Sequence, residues 1–192
     1  MNLAVYKRKI LSHKIYFISL CSIFIVGIIV GIFFSTYLER LFFSANVINF
    51  YVNALTGGGN LSGLFFAGLF ADIAVLLLFY GCSFVAFLFP IYYIVLFYRG
   101  YVLGLAVGIF LSKFGVSGLM LFIFAVMISN ALTSFSLAVF ATFTESGFKK
   151  TCKIRKDERT ACFLLCLAVV LVGAVAELIF MLFVIRPLNF NF

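Results

Sequence analysis

LFFAGLFADIAVLLLFYGCSFVAFLFPIYYIVLFYRGYVLGLAVGIFL, residues 64–111, is one long apolar run interrupted only by Asp72, Pro90 and Arg99. As a single helix it would extend about 72 Å at ~1.5 Å per residue, more than twice the ~30 Å hydrocarbon core of a bilayer. The run must fold back on itself. Pro90 is the natural break, because proline lacks a backbone donor and disfavours helix at the residue before it. Two crossings are therefore expected, near 66–88 and 91–112.

Three further apolar runs flank this hairpin, near 15–38, 118–143 and 161–185. Apolar residues make up 66% of the chain and charged residues 10%, against about a quarter charged in soluble domains. A water-soluble fold could not hide so much apolar surface, so lipid is the solvent. The expected fold is an all-α, polytopic bundle of about five transmembrane helices in a single domain. The N-terminal run is longer than a signal-peptide core and is read as a retained helix. With no Trp and 28 Phe, an aromatic belt has to rely on Tyr and Phe.

The net charge of +8 is concentrated. Lys7, Arg8, Lys9 and Lys14 precede the first run, and Lys149, Lys150, Lys153, Arg155, Lys156 and Arg159 crowd one loop. Both clusters abut hydrophobic segments, which points to orientation in a membrane rather than to nucleic acid. If both are cytoplasmic, the crossings between them are even in number. The N-terminus is then inside and the C-terminus outside. This leaves the apolar segment 86–93 as either a cytoplasmic turn or a re-entrant one.

Between the first two runs, Asn46, Asn49, Asn53 and Thr56 share one helical face, and Gly57, Gly58 and Gly59 follow. The spacing suggests a short interfacial helix over 39–57, or else a continuation of packed helix.

Asp72, Arg99 and Glu177 are the ionisable residues inside the runs. Such groups are costly in hydrocarbon and turn toward protein or water. Their depths predict that Arg99 points into the bundle and pairs with Glu177, or failing that with Asp72. The pair would hold helices together or form part of an ion or proton pathway. Gly100, Gly104 and Gly108 line one face of the third helix, where a second backbone could approach closely. Gly27 and Gly31 are a weaker version in the first helix and do not rise above the ordinary frequency of glycine in membrane helices.

Catalytic and cofactor motifs are missing: there is no H-E-x-x-H, no G-x-S-x-G and no phosphate-cradling loop. The only histidine is His13, which leaves a Ser/His or Cys/His mechanism little to draw on. Cys162 and Cys166 lie one helical turn apart but would need further ligands to hold a metal. No enzyme, cofactor or metal site is expected.

A basic N-terminus, G-I-I-V-G at 27–31, and P-I-Y-Y-I-V-L-F-Y-R-G-Y-V-L-G-L-A-V-G at 90–108 together resemble the stage II sporulation protein M family. In that family a basic residue, then Gly, then glycines at four-residue spacing occupy this helix. Arg99, Gly100, Gly104 and Gly108 match that pattern, and Glu177 with Pro187 is similar to the family's last helix. The chain departs from its relatives at 128–133, I-S-N-A-L-T, where they carry a proline or a His-Gly with Glu. The resemblance implies a non-enzymatic scaffold in the bacterial plasma membrane. Its expected partners are the lipid bilayer and other membrane proteins, in particular wall hydrolases resembling stage II sporulation proteins D and P. The intramembrane charges keep a transporter, or a transporter subunit, as the alternative.

Overall fold

The computed structural model describes residues 14–41, 61–122, 127–148 and 156–180. Five helices follow one another: α1 (Lys14–Leu41), α2 (Leu61–Cys82), α3 (Pro90–Phe122), α4 (Ile128–Phe148) and α5 (Lys156–Phe180). No strand occurs among the described residues, and the molecule is an all-α membrane bundle. Four stretches are long and apolar enough to cross a bilayer: Lys14–Ser35, Phe65–Cys82, Pro90–Ser112 and Asp157–Ile179. Helix α4 is the more polar fifth member and packs against all four others. The segment expected to lie along the interface falls mostly at 42–60, outside the described residues; α1 itself continues to Leu41.

The hairpin differs from expectation in where it turns. The second helix ends at Cys82, not near residue 88. Ser83 donates its hydroxyl to the Tyr80 carbonyl at 2.6 Å, and a single 3-10 turn, Ala86–Leu88, leads to Pro90 at the first position of α3. Proline suits that position, since the missing donor would have been unpaired there anyway. The break thus lies well before the proline, and Pro90 starts a helix rather than ending one.

The third helix also runs past its expected end. Its far leg reaches Phe122 through a break at Gly115, where φ is 62° and ψ is −150°. That region is open essentially to glycine alone. Residues 118–122, expected to begin the fourth helix, therefore belong to α3, and α4 begins only at Ile128.

Ring contacts and hydrogen bonds hold one end of the bundle around the α2–α3 turn. Tyr16 near the start of α1 meets Phe89 and Tyr93, with centroids 5.1 and 5.5 Å apart. The buried Tyr92 donates to the Phe79 carbonyl at 3.1 Å. Tyr80 packs on Phe163 of α5 at 4.7 Å. Arg159 of α5 donates to the Ser83 carbonyl at 2.7 Å. The starts of α1 and α5 therefore lie at the same end as the turn, and successive helices run in opposite directions.

The core is built from Leu20, Leu76, Phe79, Tyr92, Leu96, Leu137, Phe140 and Phe143, all essentially buried. Outward faces carry large apolar side chains such as Ile25, Ile29, Phe33, Phe70, Ile94 and Val172, as a lipid-facing surface requires.

Candidate functional site

The glycine strip of α3 lies against α1. A Cβ added at Gly100 or Gly104 would meet the carbonyl oxygens of Phe24 or Ile28 closer than 3.0 Å, a separation real Cβ atoms essentially never show. One added at Gly108 would strike the Ser35 side chain. The contact is reciprocal. A Cβ on Gly27 would sit 2.5 Å from the Phe97 carbonyl oxygen, and one on Gly31 would strike that of Tyr101. Gly27 faces Gly100, Gly31 faces Gly104 and Ser35 faces Gly108, so the two helices run parallel in constant register. The same register brings Tyr16 to Phe89. From Tyr16 to Ser35 the seam is about 28 Å long at ~1.5 Å per residue, close to a full hydrocarbon core. Backbone meets backbone in its middle part, at Gly27, Gly31, Gly100 and Gly104, which makes this the most closely packed helix pair among the described residues.

Sequence reading found the α3 half of this seam and set aside the α1 half. Ser35 supplies the signal it overlooked: Gly27, Gly31 and Ser35 are three small residues at four-residue spacing.

The charged residues converge next to this seam. Arg99 Nη2 forms an ion pair with Asp72 Oδ1, and the two side chains are only 11% and 19% exposed. The same nitrogen donates to Asn130 Oδ1 at 3.3 Å. The single Thr133 hydroxyl proton is shared between Asp72 Oδ2 at 3.4 Å and the Ser129 carbonyl at 3.0 Å. Residues of α2, α3 and α4 thus meet at one point.

Glu177 of α5 sits beside the Ser129 hydroxyl and within electrostatic reach of Asp72. It is not the partner of Arg99, contrary to the first expectation. Helix rise supplies the reason. Asp72 lies ten residues before the end of α2 and Arg99 nine after the start of α3, so both stand roughly 14 Å from the shared turn. Glu177 is 18 residues beyond Arg159, roughly 27 Å from the same end.

Helix α4 supplies the polar floor. Ser129, Thr133, Ser134, Ser136, Thr142, Thr144 and Glu145 are all buried. Most of these hydroxyls close on their own helix: Ser136 donates to Thr133 O at 2.8 Å, Thr142 to Ala138 O at 2.8 Å and Thr144 to Phe140 O at 2.9 Å. Such bonds satisfy the hydroxyl without a partner helix and leave small, compact surfaces for neighbours. Ile128, Leu132 and Phe135 form the exposed apolar stripe of α4. Asn130 and Thr133 were not singled out as ligands of the ion pair by sequence, because nothing local says which way α4 is rotated.

Cys162 and Cys166 are buried on α5, and Cys166 donates to the Ser136 carbonyl at 3.4 Å. They pack as small apolar side chains against α4. No group of three or more metal-ligating residues occurs among the described residues.

The site combines a backbone-to-backbone seam between α1 and α3 with a charge-neutralised contact among α2, α3 and α4. Compared with known proteins, the chain matches no protein-family model, no curated protein and no solved structure.

Proposed function

We propose that the chain is a non-enzymatic membrane scaffold that recruits or organises peptidoglycan-remodelling machinery. The observation that carries this reading is how the intramembrane polar groups are used. Arg99 is matched by Asp72, and the hydroxyls of Thr133, Ser136, Thr142 and Thr144 are turned onto the α4 backbone. The ion pair ties α2, α3 and α4 together at one point, and the self-bonded hydroxyls leave α4 a compact surface for its neighbours, which suits a rigid docking platform. The resemblance to the stage II sporulation protein M family, through Arg99, Gly100, Gly104, Gly108 and Glu177, supplies the peptidoglycan part of the proposal. Cross-linking from the membrane-embedded chain in intact cells tests it: wall hydrolases or their membrane subunits should be captured. Their absence from the products, with the chain present at native level, would count against the scaffold.

In this reading the chain lies in the bacterial plasma membrane with the N-terminus cytoplasmic and the C-terminus outside. Support comes from the starts of α1 and α5, the two helices that follow basic clusters, lying at one end of the bundle. A reporter fused after Phe192 should read as outside, and one inserted in the Lys149–Arg159 loop as inside. Both reporting the same side would sink the arrangement.

One observation favours the second reading, a transporter or transporter subunit. Arg99 Nη1 is buried and has no hydrogen-bond partner among the described residues, and Glu177 stands near the ion pair without joining it. A buried guanidinium with unused donors is suited to a transient ligand. Ion flux into proteoliposomes that disappears in a folded Glu177→Gln variant would support transport over scaffolding.

A further inference from the structure

The turn between α2 and α3 is unusually apolar for a connection at a bundle end, and it is exposed. Phe84 and Val85 are half exposed, and Phe87 is 89% exposed. Its depth can be fixed by length. Helix α2 has 22 residues, about 33 Å at ~1.5 Å each, and the apolar leg Pro90–Ser112 of α3 has 23. Both are consumed in crossing a ~30 Å core, so residues 83–89 lie at its edge. Cations mark the same level: Lys14 stands two residues before Tyr16, which touches Phe89, and Arg159 binds the Ser83 carbonyl.

The turn is also built for a layer poor in water. Four of its backbone donors close internally: Ser83 N to Phe79 O at 3.0 Å, Phe84 N to Gly81 O at 3.3 Å, Val85 N to Cys82 O at 3.2 Å and Leu88 N to Val85 O at 3.1 Å. The Arg159 guanidinium lies 5.1 Å from the centre of the Phe84 ring, so a cation and the turn's first aromatic form one unit. Apolar side chains facing outward, a backbone bonded in large part to itself and adjacent fixed cations are the properties of an interfacial anchor on an anionic leaflet.

We infer that residues 84–87 are a membrane-seated anchor, with Phe84, Val85 and Phe87 inserted at the headgroup–acyl boundary of a leaflet whose anionic phospholipids are held by the cations of this end. The inference rests on the bundle's geometry and not on the scaffold reading.

The chain has no Trp, so Phe87→Trp introduces a single indole at a position where side-chain exposure leaves the fold undisturbed. The full chain is reconstituted in phosphatidylcholine vesicles with and without phosphatidylglycerol. With phosphatidylglycerol present, the indole emission should shift to the blue and acrylamide quenching should fall several-fold. Lipids brominated near the carbonyl end of the acyl chain should quench it more than lipids brominated near the methyl end. An indole open to acrylamide and untouched by brominated lipid would overturn the anchor and leave the turn to a soluble partner. Strongest quenching by the deeper bromines would overturn it in favour of a re-entrant segment. Equal insertion with and without phosphatidylglycerol would overturn the role given to anionic lipid.

Discussion

Replacing Arg99 with leucine should cut the yield of folded protein sharply, and replacing Asp72 with leucine as well should restore much of it. The single change strands the Asp72 carboxylate, since its cationic partner is gone and, among the described residues, Thr133 is the donor that remains. Breaking a buried pair from one side costs about 3–5 kcal/mol, a large fraction of the ~5–15 kcal/mol by which native proteins are stable. The double change removes both charges at once and leaves Thr133 its bond to the Ser129 carbonyl; replacing a buried pair by apolar side chains is often close to neutral. The measurement is folded fraction after detergent extraction, read by size-exclusion monodispersity and thermal midpoint, for both singles and the double. A double variant as poor as the sum of the singles would show that the charges are uncoupled. Arg99→Leu with Glu177→Leu should recover less than Arg99→Leu with Asp72→Leu, because Glu177 sits beside Ser129 and not against the guanidinium. If the Arg99–Asp72 double variant folds and still recruits its partners, the pair only holds helices together. If it folds and loses function, the pair belongs to a mechanism and transport gains ground.

The second large effect is expected at the glycine seam. Gly104→Leu should separate α1 from α3 and destabilise the bundle by about 3 kcal/mol or more, at or above the upper part of the range for overpacked interiors. The first atom added already collides with the Ile28 backbone, and a backbone cannot rotate aside as a side chain can. Gly68→Leu is the matched control. It too adds a leucine side chain to a membrane helix, but a Cβ there meets nothing within 4 Å. Thermal midpoints of the two variants in the same detergent provide the comparison. Equal midpoints would mean that α1 and α3 are not packed backbone to backbone. Gly31→Leu should reproduce the Gly104→Leu loss, since Gly31 faces the same glycine from the other helix.

Sequence alone determined the solvent, the helical class and the existence of the hairpin, though not where the helices end. Each depends on quantities local to a segment: the transfer of its side chains into lipid, its length against the bilayer, and the positions of Pro90 and the glycines. The strip Gly100–Gly104–Gly108 was legible for the same reason, because helical periodicity alone puts the three on one face. Other features became visible only in the tertiary structure. Ending α2 at Cys82 rather than near residue 88 moves Asp72 about 9 Å along the axis, which brings it level with Arg99 and leaves Glu177 out of reach. Placing Gly27, Gly31 and Ser35 against the α3 strip required the relative register of two helices. Putting α4 at the centre, with its hydroxyls inward and Ile128, Leu132 and Phe135 outward, required its rotation against four neighbours. Register and rotation are set by the sum of weak contacts between helices. No single segment carries that sum, so it is decided only when the helices pack.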